Sequence, residues 1–144
     1  MMNKQIILQN DVQQVPLLAQ FVDEACETAG LDMATTMKLN LALEEAVVNV
    51  MNYAYPQGTV GDINIEVQVD DNLLEFIISD TGTPFDPTAQ AEVDTALSAE
   101  ERSIGGLGIH LVRQIMDSVS YERIDNRNLL TLRKNISRDD EMSK

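Results

Sequence analysis

The stretch Leu43-Glu44-Glu45-Ala46-Val47-Val48-Asn49 decides the fold, because it sets Glu45 and Asn49, four residues apart, into a helical apolar pattern. Two further stretches follow it along the chain. Asp80-Thr81-Gly82-Thr83-Pro84-Phe85 ends an apolar run that predicts a strand, and Gly105-Gly106-Leu107-Gly108 precedes a second apolar helical pattern. Each stretch alone has little specificity. Their order and their contexts together predict a single nucleotide site.

Glu45 and Asn49 are four residues apart, so a helix places them on one face. Leu39, Leu43 and Val50 predict the buried stripe of the same helix, and the polar pair lies off that stripe. A side-chain amide oxygen suits Mg²⁺ that is shared with substrate phosphates, and a nearby carboxylate can deprotonate a nucleophile. The alternative is the solvated polar face of an amphipathic helix, which the pattern alone favours.

Asp80 follows the apolar run Leu73-Leu74-Glu75-Phe76-Ile77-Ile78-Ser79 and therefore lies at the predicted end of a strand. A carboxylate there can accept a hydrogen bond from the amino group of adenine. Gly82 allows the backbone to approach a flat base closely. The alternative is an aspartate that hydrogen-bonds its own loop, which is common where a strand enters a turn.

The glycine turn from Gly105 to Gly108 opens a segment in which Leu107, Leu111 and Ile115 make a helical apolar stripe. Backbone amides at a helix start point towards an anion, and glycine removes the side chains that would hold phosphate away. The turn lacks the Gly-Lys-Ser/Thr of a P-loop and the spacing of a dinucleotide fingerprint. The alternative is a glycine-rich loop that ends a mobile segment.

Taken together, the three stretches resemble the N, G1 and G2 boxes of the GHKL ATPase superfamily, which includes gyrase and the histidine kinases. The first box is followed by Tyr53-Ala54-Tyr55, and the second continues into Asp86-Pro87. Within the superfamily, the chain is most similar to the small anti-sigma factor serine/threonine kinases of bacterial partner switching. The resemblance extends from about residue 3 to residue 136.

By this resemblance, Glu45 is the general base that acts on a partner serine, and Asn49 binds Mg²⁺. Asp80 reads the adenine of ATP, and Gly82 packs against that base. The residues expected beside the phosphates form the glycine turn, namely Gly105, Gly106, Leu107 and Gly108. Thr131, in the last predicted strand, matches a threonine that often supports the adenine-binding aspartate.

Two positions, Tyr53 and His110, bear on the type of kinase. Many relatives carry His-Gly or His-Ala after the first box, where this chain has Tyr53-Ala54; we interpret this as a change beside the site. His110 follows the glycine turn, whereas the phosphorylated histidine of two-component kinases lies in a separate dimerisation helix. His110 is therefore predicted to be structural, and autophosphorylation on histidine is disfavoured.

The predicted fold is an α/β two-layer sandwich of the Bergerat type, with a mixed, mainly antiparallel sheet and three helices on one face. Strands are predicted at 3–9, 61–69, 73–79, 120–125 and 129–136, and the first two helices at 11–29 and 33–54. The last two strands form a hairpin around Asn126-Arg127-Asn128. Residues 1–136 are predicted to form one histidine kinase-like ATPase domain, followed by a polar tail at 137–144.

The connection over residues 86–104 is long for so small a domain, and such loops often act as lids. In the superfamily this position is the ATP lid, which is expected to order over bound nucleotide. Arg102 is the basic residue of the segment. It either contacts the terminal phosphate or lies on the surface.

Composition limits the kinds of partner. The 144-residue chain is 44% hydrophobic and carries a formal net charge of −14, so a nucleic-acid partner is not expected. The single cysteine, Cys26, is predicted to be a small buried hydrophobe. No signal peptide or membrane-spanning run is evident, which predicts a cytoplasmic protein without a membrane partner.

The sequence therefore predicts an ATP- and Mg²⁺-dependent serine/threonine protein kinase. By the resemblance, it would sequester a sigma factor and phosphorylate an anti-anti-sigma protein of STAS type, and it is expected to form a homodimer. The alternative is a nucleotide-gated regulator that binds a partner without significant kinase activity.

Overall fold

The computed structural model describes residues 2–56, 58–70, 72–90 and 106–136, and within them five strands and three α-helices form two layers. In chain order the elements are β1 Met2–Gln9, α1 Val15–Ala29, α2 Met33–Tyr53, β2 Asp62–Val69, β3 Leu73–Asp80, α3 Gly106–Ile115, β4 Ser118–Ile124 and β5 Arg127–Asn135. Short 3₁₀ turns lie at Val12–Gln14 and Pro87–Gln90. None of the helices in these ranges is both long enough and apolar enough to cross a membrane.

The strands form one sheet in the order β1-β2-β3-β5-β4. The α/β two-layer sandwich is thus confirmed, but every pairing among the described strands is antiparallel rather than mixed. The long connection through α3 delivers β4 to the edge of the sheet, running in the same direction as β3. Because β5 returns through a tight turn and inserts between them, it is antiparallel to both neighbours.

The core lies between the sheet and the helices. Alternate residues of β2 are fully buried, as the period-two pattern predicts, whereas their neighbours in sequence face the other side of the sheet. Buried residues of α1 and α2 cover this face, and Cys26 is one of them, as predicted. Burial raises the pKa of the Cys26 thiol, which keeps it protonated.

The helix ends follow from local capping. Asp11 accepts a hydrogen bond from the Gln13 amide and caps the 3₁₀ turn, so the regular α1 begins later than predicted, at Val15. Gly30 ends α1 with a left-handed φ of 73°, the conformation that favours glycine at this position. Asp32 then caps α2 by accepting a hydrogen bond of 2.7 Å from the Thr35 amide.

The hairpin between β4 and β5 turns earlier than the sequence predicts. Asp125 and Asn126 form the turn with φ values of 52° and 65°, and β5 starts directly afterwards at Arg127. Two consecutive residues with positive φ are typical of the two-residue turns that match strand twist, and aspartate and asparagine tolerate that conformation. The predicted turn at 126–128 was therefore wrong, and Asn128 belongs to the strand.

Gly61 and Tyr55 pack so closely that a methyl group cannot be added between them. A Cβ on Gly61 would lie 2.2 Å from the Tyr55 ring, which is buried. We predict that Gly61→Ala lowers the free energy of unfolding by about 1–3 kcal/mol, because the tyrosine must leave its packed position. Urea denaturation followed by circular dichroism measures the change.

A double-mutant cycle provides the control for this prediction. In a Tyr55→Ala background the space beside residue 61 is vacant, so Gly61→Ala should then cost less than a few tenths of a kcal/mol. An equal cost in both backgrounds would assign the effect to the backbone of Gly61 and not to the tyrosine.

Candidate nucleotide-binding site

Asp80 closes β3 and is almost fully buried, with 2% of its surface exposed. Its Oδ1 accepts hydrogen bonds from the Gly82 amide, at 2.8 Å, and from the side-chain amide of Asn128, at 2.9 Å. Among the described residues, nothing hydrogen-bonds its second oxygen, Oδ2, and that atom is not closed off from solvent. Oδ1 thus makes hydrogen bonds within the protein, and Oδ2 is available to a ligand.

Burial raises the pKa of Asp80 above its ordinary value of 3.8. The hydrogen bonds from Asn128 and Gly82 oppose this shift, as do the nearby positive charges of Arg123 and Arg127. These groups stabilise the ionised carboxylate, which is the stronger hydrogen-bond acceptor for an amino group.

Asn128 connects Asp80 to the loop that follows it, and the sequence analysis missed this role. Its amide nitrogen donates to Asp80 and, at 2.8 Å, to the carbonyl of Thr83. Its oxygen accepts from the Phe85 amide at 3.3 Å and from Arg123 at 3.1 Å, and also from the Tyr121 hydroxyl. A detectable signal existed, because Asn128 alternates in phase with two leucines of the last strand.

Thr131 does not support Asp80, so that prediction was wrong. In the register of β3 and β5, Asp80 lies opposite Asn128, whereas Thr131 lies opposite Ile77. Thr131 is three positions from Asn128, and successive residues of a strand point to opposite faces of the sheet. Its side chain is therefore on the face away from the helices, and Asn128 occupies the supporting position.

Gly82 brings the loop against the end of α2. A Cβ on Gly82 would lie 2.2 Å from the carbonyl oxygen of Ala54, the residue that follows α2. The same carbonyl accepts hydrogen bonds from the amide and the hydroxyl of Thr83, at 2.7 Å and 3.1 Å. Packing against α2 therefore explains why position 82 is glycine, because a larger residue would separate the loop from the helix.

Glu45 and Asn49 are brought together on α2, as predicted. Glu45 is half-buried and Asn49 is buried, with 6% of its surface exposed. The Asn49 amide nitrogen donates to the backbone carbonyl of Glu45 at 3.0 Å. Within the described part of the chain, the Asn49 oxygen has no hydrogen-bond partner, and it is not sealed from solvent. This bond fixes the amide with its oxygen free, which is the arrangement a metal ligand requires.

Tyr53 and Phe85 stack against each other, with ring centroids 5.5 Å apart. Tyr53 ends α2 and Phe85 belongs to the loop after Asp80, so the pair joins the two sides of the site. Tyr53, which follows the first predicted box, is therefore part of a contact beside the site.

The helix α3 begins at Gly106, as the glycine turn predicts, and it packs against α2. Gly106, Leu107 and Gly108 form its first turn, whereas Gly105 lies outside the described residues. Arg113 of α3 donates a 3.0 Å hydrogen bond to the carbonyl of Thr88. This bond holds the 3₁₀ turn Pro87–Gln90 against the helix. The start of α3 offers backbone amides to an anion.

Several other predicted features lie partly or wholly outside the described residues. The predicted lid over 86–104 is described to residue 90, and Arg102 and the tail at 137–144 lie outside the described residues. His110 is exposed on α3, and its ring contacts the side chain of Gln114 at 3.2 Å.

The fold and the site define an ATPase domain of the histidine kinase type. A family model described as a histidine kinase-like ATPase domain matches residues 8–134. That range covers most of the 144 residues, and the chain therefore belongs to this family of ATP-binding domains. The predicted superfamily is thereby confirmed.

Similar proteins include protein kinases. The chain is 32% identical to the serine/threonine-protein kinase BtrW of Bordetella bronchiseptica over 94 residues, which are 65% of this chain and 66% of that protein. It is 35% identical to the serine-protein kinase RsbW of Listeria monocytogenes over 95 residues, which are 63% of this chain and 60% of that protein. Each match thus spans less than two thirds of the curated relative.

One solved structure supports the fold. A chain of the SiaB–SiaC complex from Pseudomonas aeruginosa superposes with a TM-score of 0.53 over 91% of this chain and 89% of that one. The sequence identity is 15%, so this likeness concerns the fold alone.

The two candidate supports of Asp80 can be compared directly. We predict that Asn128→Ala lowers the free energy of unfolding by about 1–3 kcal/mol, because the buried Asp80 carboxylate, the Thr83 carbonyl and the Phe85 amide each lose a hydrogen bond. It should also weaken adenine-nucleotide binding at least about tenfold. Urea denaturation and calorimetric titration measure the two effects. Thr131→Ala is the matched control, and a larger loss of affinity in that variant would restore Thr131 as the support.

The raised pKa of Asp80 makes stability depend on pH. The folded chain keeps its proton to a higher pH than the unfolded chain, so the free energy of unfolding falls as pH rises from the ordinary value of 3.8 through the raised pKa. We predict that Asp80→Asn lacks this decline. Urea titrations of both proteins from about pH 4 to about pH 7 measure it, and parallel profiles would contradict the prediction.

Proposed function

We propose that the chain is an ATP- and Mg²⁺-dependent serine/threonine protein kinase of the anti-sigma type. It would sequester a sigma factor and phosphorylate a serine on an anti-anti-sigma protein of STAS type. The observation that carries this proposal is the pair on α2, in which Asn49 is tied to the backbone of Glu45 with its own oxygen free. A module that only binds nucleotide does not need a carboxylate beside a metal ligand.

The nucleotide would lie between the end of β3 and the start of α3. The amino group of adenine would donate to Oδ2 of Asp80, the oxygen that the fold leaves unused. The phosphates would lie at the first turn of α3, where backbone amides and the helix dipole favour negative charge. With ten lysines and arginines against 24 acidic residues, the chain supplies little other positive charge.

Asn49 would hold Mg²⁺ together with the phosphates of the nucleotide. Magnesium prefers hard oxygen ligands and keeps several waters, so a single amide oxygen is a sufficient anchor when phosphates complete the shell. The ion would neutralise charge on the phosphates during transfer.

Glu45 would accept the proton of the incoming serine hydroxyl. The serine oxygen then forms a bond to the γ-phosphorus, and the bond between that phosphorus and the bridging oxygen breaks, which releases ADP. The proton remains on the Glu45 carboxylate until solvent removes it. Positioning of the serine and the γ-phosphate would contribute most of the rate enhancement.

The partners and the setting are proposals of the same kind. The named kinase relatives support a protein substrate, and a net charge of −14 argues against a nucleic acid. A homodimer, a cytoplasmic location and a single domain over residues 1–136 remain predictions. So does the lid over 86–104.

The alternative function is nucleotide-gated partner binding without significant phosphotransfer. The observation that favours it is the stacking of Tyr53 on Phe85 beside the site, at a position where the family resemblance leads us to expect histidine. The kinase function requires Glu45 as a general base, whereas partner binding without phosphotransfer does not.

The decisive experiment combines nucleotide titration with phosphotransfer. The purified chain is titrated with ATP, with and without Mg²⁺, and is then mixed with ATP and purified STAS-type anti-anti-sigma proteins. We predict that Glu45→Ala retains ATP binding but loses phosphotransfer at least about 100-fold, since a general base contributes about that much or more. Asp80→Asn should fold and should not bind ATP.

Glu44→Ala is the matched control for the base, because Glu44 is an adjacent carboxylate that is exposed. Its rate at saturating protein substrate should match that of the unmodified chain. Full activity of Glu45→Ala would move the base role elsewhere, and Mg²⁺-dependent ATP binding without any phosphotransfer would favour the regulator.

A further inference from the structure

The exposed surface of α2 carries three large apolar side chains in one row. Met33, Met37 and Leu41 are spaced four residues apart, and they are 79%, 66% and 42% exposed. We name these three residues the α2 ridge. Single exposed apolar residues are ordinary, but three consecutive ones on one helix row mark an interaction surface. Methionine adapts its shape to a partner, which suits this use.

The same row continues into the chemical site. Four residues after Leu41 comes Glu45, and four residues after that comes Asn49. Because each step of four residues rotates the position by about 40°, the row turns from solvent towards the interior. Exposure falls accordingly along it, and Asn49 is buried. A protein that covers the α2 ridge therefore lies directly beside Glu45.

A groove of about 410 Å³ runs between α1 and α2 along this ridge. Val15, Leu18 and Ala19 of α1 supply apolar lining on one side, and Met37 and Leu41 supply it on the other. The groove would accept one protruding apolar side chain or the edge of a helix from a partner. It is separate from the nucleotide position at the end of β3.

The charge around the groove is negative. Its polar lining consists of Asp23, Asn40 and Glu44, and Asn40 donates a 2.7 Å hydrogen bond to Asp23, so both charged groups of the lining are acidic. The acidic residues of the two helices are Asp23, Glu24, Glu27, Glu44 and Glu45, of which Glu24 forms an ion pair with Lys4 of β1, and the two helices carry one cation of their own, Lys38. A partner with basic side chains around an apolar centre complements this surface.

We propose that the α2 ridge and its groove are the docking surface for the phosphoacceptor protein, which would present its serine to Glu45 from an apolar face with a basic rim. This inference rests on the proposed kinase function. It adds where the substrate binds and which chemistry recognises it. Docking on the same rigid helix that carries the base fixes the distance from the contact surface to the reacting hydroxyl.

The test is a kinetic comparison of three variants. Met37→Glu places a charge in the apolar centre of the surface, and Met37→Leu conserves its character. Val60→Glu is the matched control, because Val60 is 73% exposed and does not line the groove. The probe is a panel of purified STAS-type anti-anti-sigma proteins, beginning with those of the source organism. KM, kcat and the Kd of the complex are measured for each.

For Met37→Glu we expect KM and the Kd of the complex to rise at least about tenfold, as loss of a central contact requires. Its kcat at saturating substrate and its affinity for ATP should be unchanged. Met37→Leu and Val60→Glu should behave as the unmodified chain. An unchanged KM for Met37→Glu would overturn the docking surface and leave the kinase function standing.

Other outcomes separate the two proposals. If the chain binds a panel protein without phosphorylating it and Met37→Glu breaks that complex, the surface is supported and the kinase function fails. If Met37→Glu alters only the oligomeric state in size-exclusion chromatography, or only sigma-factor binding, the ridge belongs to that partner and the proposal is overturned. A chain that neither binds nor phosphorylates any panel protein would overturn both.

Discussion

The side chain of Asn128 connects Asp80 to the loop that follows it, and this end of the candidate site depends on that connection. Its nitrogen donates to the Asp80 carboxylate and to the Thr83 carbonyl, and its oxygen accepts from the Phe85 amide. A carboxylate as buried as that of Asp80 is costly to keep ionised unless such bonds compensate. Because one amide both donates and accepts, it satisfies the carboxylate and the loop at once. Removing it would leave the buried Asp80 carboxylate with the Gly82 amide as its one hydrogen-bond donor among the described residues, and would release the Thr83 carbonyl and the Phe85 amide.

The helix side of the site depends on a second constraint, the contact of the loop with the end of α2. Gly82 approaches the Ala54 carbonyl so closely that no side chain fits between them, and Thr83 bonds the same oxygen. Asp80 comes from the sheet, whereas Glu45 and Asn49 come from the helix. The loop bonded to Asn128 and packed on Ala54 therefore sets the position of Asp80, the proposed contact to adenine, relative to Glu45, the proposed general base. The stacking of Tyr53 on Phe85 is a further contact between this loop and the end of α2.

The sequence revealed the parts of this arrangement that depend on local patterns. Apolar periodicity identified the strands and helices, and the four-residue spacing placed Glu45 and Asn49 on one face. The support of Asp80 was missed because it is 48 residues away in the chain. The polar run Asn126-Arg127-Asn128 also looked like a turn, whereas positive φ values at Asp125 and Asn126 put the turn earlier. Asn128 was therefore assigned to the turn and not considered as a support, and Thr131 was chosen instead because it matches a threonine of the family that the chain resembles.

The row that begins at Met33 also constrains how α2 can change in evolution. The exposed and buried residues of this row lie on one continuous helix, so their relative positions depend only on the number of residues between them. No loop between Leu41 and Glu45 could absorb a change in length. Inserting or deleting one residue there would rotate everything beyond it by about 100°. The apolar row would then no longer lead to the carboxylate, although both would keep their composition. Substitutions in this segment are thus far more tolerable than insertions or deletions, and the length of α2 between Met33 and Asn49 should be more constant than its sequence.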